Sequence, residues 1–206
     1  MQHWIFTCVF LSLTALAVAL LQQPKDVISF SEEEGEKLDF WLHKLIQEKS
    51  KRLTTFKYNN CGDPTKEVAN ITTLIIGPDP LVFPGPLRVQ FSGIAKQTIQ
   101  SPVRVALVLE VKVGSIWVKI PCIQNLGSCT YEDLCELLAQ ITECPAPLVS
   151  AGIPCACPYK QGPYSLPQAE FDILVALFPA GDYHAVANVT NGVTSIACVE
   201  LFVTFG

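Results

Sequence analysis

Hydrophobic and polar residues alternate along much of the chain after Cys61. The clearest alternation has apolar residues at Val103, Val105, Leu107, Leu109 and Val111, with Arg104, Ala106, Val108, Glu110 and Lys112 between them. A period of two is typical of a half-buried strand, because successive strand side chains point to opposite faces. Similar runs occur at 70–76, 87–92, 115–120, 169–178, 182–190 and 195–205, and Asn191-Gly192 fits a hairpin turn between the last two. The pattern predicts a mainly β domain, an antiparallel sandwich or cup.

One block between the strands, Cys122 to Pro167, has a different pattern. It contains six cysteines and is rich in proline, especially in the stretch IPCACPYKQGPYSLP at 153–167. The segment TYEDLCELLAQI predicts one short helix that starts at Thr130, with Asp133 completing a capping box. The rest reads as irregular chain, which backbone hydrogen bonds alone do not hold together. Crosslinks are therefore expected in this block.

The N-terminus has the features of a secretory signal. Trp4 to Leu21 contains no charged residue and ends beside Ala17-Val18-Ala19, a small-residue cleavage pattern. We interpret residues 1–19 as a signal peptide that directs the protein to the secretory pathway, and so to the lysosome or the extracellular space. The alternative is a signal anchor, since the apolar stretch is close to the roughly 20 residues that span a bilayer.

The next segment predicts an amphipathic helix. From Ser31 to Arg52, acidic residues occupy the first turn, basic residues the last, and one face carries Leu38, Trp41, Leu42, Leu45 and Ile46. This helix either docks on its own domain, contacts a partner or membrane, or belongs to a removable segment. We therefore divide the chain into the signal peptide 1–19, an extension at 20–58 and a mainly β domain at 59–206.

Secretion changes how the cysteines are interpreted. Cys8 leaves with the signal peptide, and the eight that remain favour four disulfides. In extended chain, Cys155 and Cys157 leave the same face without the close, turned-in geometry that a disulfide needs, so each is expected to reach elsewhere. Zinc is the competing interpretation, but there is no Cys-x-x-Cys pair and only His43 and His184 remain as histidine ligands. The sequons at Asn70 and Asn188 are candidate glycosylation sites.

Charge and motifs exclude other classes of function. The net charge is −5, the isoelectric point is about 5.2, and no basic cluster is present, which argues against nucleic acid as a partner. There is no Gly-x-Ser-x-Gly elbow and no phosphate-binding loop. His184 lies in a predicted strand, where a surface or rim position is expected rather than a catalytic base. We expect no enzyme, no metal and no cofactor.

Several stretches together carry a family resemblance: GPDPLVFPG, WVKIPC, LGSCTYEDLC, CPAPL and GIPCACPYKQGPYSLP. They resemble the ganglioside-activator proteins, lysosomal sphingolipid activators within the ML lipid-recognition family, from about Cys61 to the C-terminus. The resemblance implies a β-cup with an apolar lipid cavity and the disulfides Cys61–Cys198, Cys122–Cys129, Cys135–Cys157 and Cys144–Cys155. It also implies transient contact with a membrane surface, a glycosphingolipid as ligand and a lysosomal hexosaminidase as partner.

The resemblance and the strand pattern together give candidate site residues. An apolar loop at the cavity rim, Leu81, Val82, Phe83 and Pro84, is expected to touch membrane; the alternative is a loop packed on its own sheet. The candidates for the cavity lining are Leu87, Val89, Phe91, Leu107, Leu109, Phe171, Ile173 and Val175. The alternative for these is a closed, dry sandwich core, which periodicity does not distinguish from a cavity.

The chain departs from the family pattern in three places. The loop at 178–183 is shorter and lacks a tryptophan, the helix at 31–52 has no counterpart, and Pro86-Leu87-Arg88 stands where a glycan site is familiar. The function expected is a lipid-transfer activator that extracts a glycosphingolipid and presents it to a glycosidase. The alternatives are a carrier of sterol, fatty acid or phospholipid without an enzyme partner, and a secreted cysteine-rich interaction protein.

Overall fold

A computed structural model describes residues 56–174 and 178–206. The predicted signal peptide, the predicted helix at 31–52 and Val175 lie outside the described residues. The strands are β1 Lys57–Asn60, β2 Ala69–Gly77, β3 Gly85–Ala95, β4 Arg104–Val113, β5 Ile116–Lys119, β6 Thr130–Tyr131, β7 Gly162–Ile173, β8 Gly181–Asn191 and β9 Thr194–Phe205. Two short helices, α1 Leu134–Ala139 and α2 Ala146–Ser150, lie between β6 and β7.

The strands form two antiparallel sheets that pack face to face. The larger sheet has the order β1-β9-β8-β4-β5, with β6 also pairing β4, and the smaller sheet has the order β2-β3-β7. Inward side chains alternate with outward ones along each strand, as in β3, where positions 87, 89, 91, 93 and 95 are buried. The inner faces share one hydrophobic core. The predicted mainly β antiparallel sandwich is confirmed.

The two sheets are tied together along the edge where β2 meets β9. At one end, the Val68 amide donates to the Ser195 carbonyl, and the Cys198 amide donates to the buried Glu67 carboxylate at 2.7 Å. At the other end, the Leu81 amide donates to the Thr204 carbonyl at 2.8 Å. Because Glu67 and Leu81 flank β2 on either side, this strand is fixed to the larger sheet at both of its ends.

The cysteine-rich block fastens the two sheets to each other at a third corner of the sandwich, the first two being the two ends of β2. It connects β5, at the edge of the larger sheet, to β7, at the edge of the smaller one. The Leu134 amide donates to Val103 just before β4, and the Ile99 and Tyr159 backbones bond to each other just before β7. The disulfide Cys135–Cys157 joins these two attachments. Three of the four corners of the sandwich are therefore fastened.

The four disulfides pair Cys61 with Cys198, Cys122 with Cys129, Cys135 with Cys157 and Cys144 with Cys155. These are the pairs that the family resemblance implies. The neighbouring Cys155 and Cys157 reach the loop after α1 and α1 itself. Cys61–Cys198 closes a loop with a sequence separation of 137, which the chain-entropy account values at about 5 kcal/mol.

Strand β7 starts earlier than predicted. The pattern placed a strand at 169–178, whereas β7 spans Gly162–Ile173 and includes Pro163 and Pro167. A proline is tolerated because β7 is an edge strand and its register with β3 shifts beside Pro167, between the Val89 and Phe91 pairings. Strand β1 was not predicted at all, and it begins at Lys57, inside the predicted extension 20–58.

Two local predictions were wrong in detail. The helix starts at Leu134 rather than Thr130, because Thr130 and Tyr131 pair with β4 and Asp133 is itself the N-cap. The hairpin turn is Gly192-Val193 rather than Asn191-Gly192, since Asn191 still pairs with Thr194. Gly192 has a φ of +57°, which a glycine adopts without steric strain in the first central position of the turn.

Asp133 holds α1 against the start of β4. Its carboxylate accepts hydrogen bonds from the Ser101 hydroxyl and from the Val103 and Cys135 amides, the latter two at 2.9 Å. Partial burial opposes ionisation, but the three hydrogen bonds outweigh it and hold the pKa of Asp133 below its ordinary value. The carboxylate is therefore ionised at mildly acidic pH.

Replacing Asp133 with Ala removes the helix cap and leaves the Val103 amide without its acceptor. We expect a loss of about 2 kcal/mol in the free energy of unfolding, measured by urea denaturation at pH 6. Glu132→Ala is the control, because Glu132 is exposed and its ion pair with Arg104 lies at the surface; it should lose under about 0.5 kcal/mol. Equal losses in the two variants would contradict the role of the cap.

Candidate functional site

The predicted lining residues lie between the two sheets. Leu87, Val89, Phe91, Leu107, Leu109 and Ile173 are buried in the shared core, and Phe171 is half-buried against it. Val175 is outside the described residues. The structure thus brings seven of these eight positions together on facing inner surfaces, and their contact with a lipid stays a prediction.

Small residues occur on both inner surfaces. Ala185 and Ala187 face inward near the middle of β8, the central strand of the larger sheet, and Gly93 and Ala95 are buried at the C-terminal end of β3 in the smaller sheet. Such side chains fill less of the roughly 10 Å between packed sheets than Val or Leu would. The sequence shows these positions in the alternating pattern, but their small size was not used to locate the interior space.

The inner surface is partly exposed along β7. Phe171 pairs with the buried Leu87, and Ala169 pairs with the buried Val89, so both face inward. Both are nevertheless half-buried. Because β7 is an edge strand, an exposed inward side chain there borders the gap between the sheets. The interior therefore borders solvent beside Ala169 and Phe171 on β7, towards the fourth corner of the sandwich, whereas Ile173 itself is buried.

The predicted rim loop is partly packed on its own domain. Leu81 is buried, and its carbonyl accepts from the Gly206 amide at 2.7 Å. Phe83 is half-buried, with its ring centroid 5.8 Å from that of Phe205. Val82 is 51% exposed, and Pro84 is exposed as well. Of the four predicted residues, the loop presents only Val82 and Pro84 fully outward.

An aromatic cluster fills the interior behind this loop. Phe205 contacts Phe83, Phe178 and Tyr183, with centroid distances of 5.8, 5.4 and 5.1 Å. The Tyr183 hydroxyl donates to the Pro179 carbonyl at 3.0 Å, and burial raises the pKa of Tyr183 above its ordinary value. The cluster joins the loop before β3, the loop before β8 and the end of β9. Sequence reasoning did not connect these residues, since they are distant along the chain.

Exposed apolar side chains gather at the same end of the sandwich. Val82 lies between β2 and β3, Ile116 opens β5 and is 62% exposed, and Leu174 follows β7 and is 71% exposed. Strand pairing places them together, because Tyr183 pairs with both Val111 and Val203 at the end where β4 and β9 finish. We call this the apolar end. The fully exposed Val193, in the β8–β9 turn, lies at the opposite end.

His184 lies on the outer face of the larger sheet, away from the interior. Its Nδ1 is 2.8 Å from a Glu110 oxygen and its Nε2 is 2.9 Å from a Glu200 oxygen. The ring stacks on Phe202 at a centroid distance of 4.5 Å. The side chain is 15% exposed. His184 thus belongs to a hydrogen-bonded network on the outer face, and a surface position is what the sequence analysis expected.

The two sequon asparagines lie on strands. Asn188 is exposed on β8, and Asn70 is half-buried on β2, beside the register shift between Ile71 and Thr73. Glycosylation of either residue stays a prediction. Within the described ranges, no group of three or more residues is arranged to hold a metal ion. No helix in the same ranges has the length and hydropathy needed to cross a bilayer.

Comparison with known proteins places this geometry in a family. The family model described as the ML domain matches residues 55–205, which include every strand named above. The chain belongs to the ML domain family.

Two curated relatives of this ML domain carry the name ganglioside GM2 activator. The protein from Macaca fascicularis is 38% identical over 159 residues, covering 73% of this chain and 83% of its own. The protein from Mus musculus is 36% identical over 166 residues, covering 77% and 86% respectively. Because the family is one of lipid recognition and these relatives are activators, the protein is a lipid-binding member and not an enzyme.

Two solved structures are also similar. A Niemann-Pick type C2 protein from the Japanese carpenter ant matches 73% of this chain and 99% of its own, at 16% identity and a TM-score of 0.40. Chicken MD-1 complexed with lipid IVa matches 78% and 94%, also at 16% identity and a TM-score of 0.40.

The hydrogen bonds to Glu200 in this ML domain predict a pH dependence of stability. Hydrogen bonds from Asn59 and then from His184 hold the pKa of Glu200 below its ordinary value. A lowered pKa means that the carboxylate stabilises the fold above about pH 4.3 and that this contribution is lost as the pH falls through the folded-state value. Urea unfolding of Glu200→Gln should therefore show a smaller loss of stability than wild type between about pH 5 and 3. Parallel pH profiles would contradict this.

Proposed function

We propose that the protein binds a glycosphingolipid between its sheets, extracts it from a membrane and presents it to a lysosomal glycosidase. The observation that carries the proposal is the 38% identity with a protein named ganglioside GM2 activator. The matched length includes most of the described domain, so the likeness extends over the sheets as well as the cysteine-rich block. The ligand class follows from that name and from the apolar interior.

An enclosed interior is what lipid extraction requires. Lifting a ceramide from a bilayer exposes roughly 30 methylene groups, at about 0.8 kcal/mol each, so more than about 20 kcal/mol is needed. Two facing sheets with apolar inner surfaces supply matching burial if they separate. The small residues Ala185 and Ala187, which face inward on β8, are where the acyl chains would lie with the least displacement of side chains.

The lipid would enter at the fourth corner, between β7 and the β4–β5 hairpin. The other three corners are fastened by Glu67 and Val68, by Leu81, and by the disulfide-linked block. Phe171 borders the gap there, and Ile116 and Leu174 expose apolar surface on its two sides. Separation at this corner leaves the three fastened corners in place.

The proposed site of action is the lysosome, reached through the secretory pathway. Disulfides persist in oxidising compartments and are rare in the cytosol, which fits secretion of a chain with four of them. The partner expected by resemblance is a hexosaminidase. The sugar headgroup would project from the apolar end, where the enzyme could reach it.

Native mass spectrometry of the purified protein tests the proposal. We expect a complex at the mass of one lipid, and fragmentation should release a glycosphingolipid. Release of a sterol, fatty acid or phospholipid instead would contradict the glycosphingolipid proposal. It would favour the alternative function, a lipid carrier without an enzyme partner. A protein that binds no lipid, even after incubation with ganglioside-containing vesicles, would contradict lipid binding itself.

Membrane contact at the apolar end gives a second prediction. Phe83 packs on Phe205, so its replacement would also disturb the fold, whereas Val82 is exposed and is the cleaner test. Val82→Asp places a charge where the loop meets headgroups and should weaken vesicle association by about 1 to 2 kcal/mol, roughly five- to thirty-fold. Extraction from vesicles should slow accordingly, while binding of a short-chain lipid in solution changes little.

Val193→Asp is the matched control, because the same substitution then sits at the opposite end of the sandwich. It should leave vesicle association and extraction near wild-type values. Equal effects of the two substitutions on vesicle association would mean that the apolar end is not the membrane-facing surface.

A further inference from the structure

We propose that residues 31–52 of the same chain dock on the apolar end in the free protein. The first observation is where the described chain begins. The Phe56 amide donates to the Asp79 carboxylate at 2.6 Å, and Phe56 packs against the core. Asp79 lies two residues before Leu81, in the loop that carries Val82. The chain therefore enters the domain beside the apolar end.

The short connection confines the segment to this end. Arg52 precedes Phe56 by four residues, which span at most about 14 Å when fully extended. The C-terminal end of the predicted helix is thus held within about 14 Å of Phe56 and close to the loop of Val82. Tethering over so few residues gives a high effective concentration for any contact the segment can make there.

The length of the segment matches the width of the end. If the helix predicted from Ser31 to Arg52 forms, its twenty-two residues would extend about 33 Å. Strands β1 and β5 lie at the two sides of the larger sheet, four strand spacings or about 19 Å apart. A helix anchored near β1 is therefore long enough to pass over the sheet ends and reach Ile116 and Leu174.

Charge is compatible with this direction. The C-terminal end of the segment carries Lys49, Lys51 and Arg52, and it is held close to Asp79 through Phe56. Its N-terminal end is rich in glutamate and would reach the β4–β5 hairpin, where Lys112 lies. Asp79 and Lys112 thus offer charge of the opposite sign to the two ends.

The apolar faces are complementary as well. Leu38, Trp41, Leu42, Leu45 and Ile46 form one helical face, and Val82, Ile116 and Leu174 are between 51% and 71% exposed at the surface they would cover. This inference rests on the proposed function in one respect: the segment would cover the surface that meets the membrane. Docking would then compete with membrane contact and regulate lipid extraction.

The test compares two substitutions in the full chain. Leu45→Glu places a charge on the apolar helical face, and Gln47→Glu adds the same charge on the opposite face. Hydrogen exchange, measured by mass spectrometry without lipid, reads the amides of Leu81, Val82, Phe83 and Leu174. We expect several-fold faster exchange there in Leu45→Glu and no change in Gln47→Glu. Identical exchange in all three proteins would overturn the proposal.

A photo-crosslinking residue placed at position 45 identifies the docking surface directly. Links to peptides containing Val82, Ile116 or Leu174 of the same chain support the proposal. Links to the outer face around Trp117 and Phe202, or to a second chain, would overturn it. Because both measurements omit lipid, they are independent of the proposed function.

Vesicle extraction separates the remaining outcomes. Where docking and the proposed function both hold, Leu45→Glu extracts glycosphingolipid several-fold faster than wild type, and Gln47→Glu does not. If Leu45→Glu changes hydrogen exchange but neither it nor wild type extracts glycosphingolipid, docking is supported and the proposed function is contradicted. Slower extraction by Leu45→Glu with unchanged exchange would show that the segment binds membrane instead, and would reject docking.

Discussion

The attachment of β2 to the larger sheet is the constraint on which the rest of the structure depends. The buried Glu67 carboxylate accepts from the Cys198 amide and from the Asn60 side chain, so one residue joins the start of β2 to both β1 and β9. Leu81 repeats the connection at the other end of the strand. Because a sandwich fixed along one whole edge opens most easily at the opposite edge, the position of any entrance is decided here. The edge at which the sheets can separate is thus set by hydrogen bonds of Glu67 and Leu81, at the opposite side of the sandwich.

The aromatic cluster gives the apolar end its internal support. Tyr183 and Phe205 lie on paired strands of the larger sheet, while Phe83 and Phe178 come from the loops above them. Edge and tilted ring contacts of about 5 to 6 Å stabilise such clusters beyond the area that they bury. The loops are therefore held in position while the side chains of Val82 and Leu174 remain exposed. An anchored base with an apolar outer surface is suited to reversible contact with a lipid layer.

The strands with strong alternation could be predicted from the sequence, because β4 and β8 each bury mainly one face. Strand β1 could not, since its four residues KYNN carry no apolar period and its place comes from pairing with β9. The start of β7 was hidden by prolines that only an edge position accommodates. The disulfide pairs followed from the family resemblance, whereas spacing alone showed only that Cys155 and Cys157 have different partners.

The candidate site was harder to predict than the fold. The inward residues of β3 and β4 follow from periodicity, and the loop of Val82 stood out by composition. Ile116 and Leu174 did not, because they share an end with Val82 only through strand order. When strand pairing brings distant loops together, the local sequence of each loop gives no sign of that contact. The packing of Phe83 on Phe205 is a contact of the same kind, which explains why the loop is less exposed than its composition suggested.

The long disulfide has a consequence for survival among proteases. Cys61 and Cys198 enclose almost the whole domain, and the bridges Cys135–Cys157 and Cys144–Cys155 are nested inside that loop, one within the other. A single peptide-bond cleavage anywhere between Cys61 and Cys198 leaves both fragments covalently joined. A nick in the proline-rich turns around Cys144 and Cys155 is spanned by three successive rings. The domain can therefore be cut once by a protease between Cys61 and Cys198 and still persist as one covalent molecule.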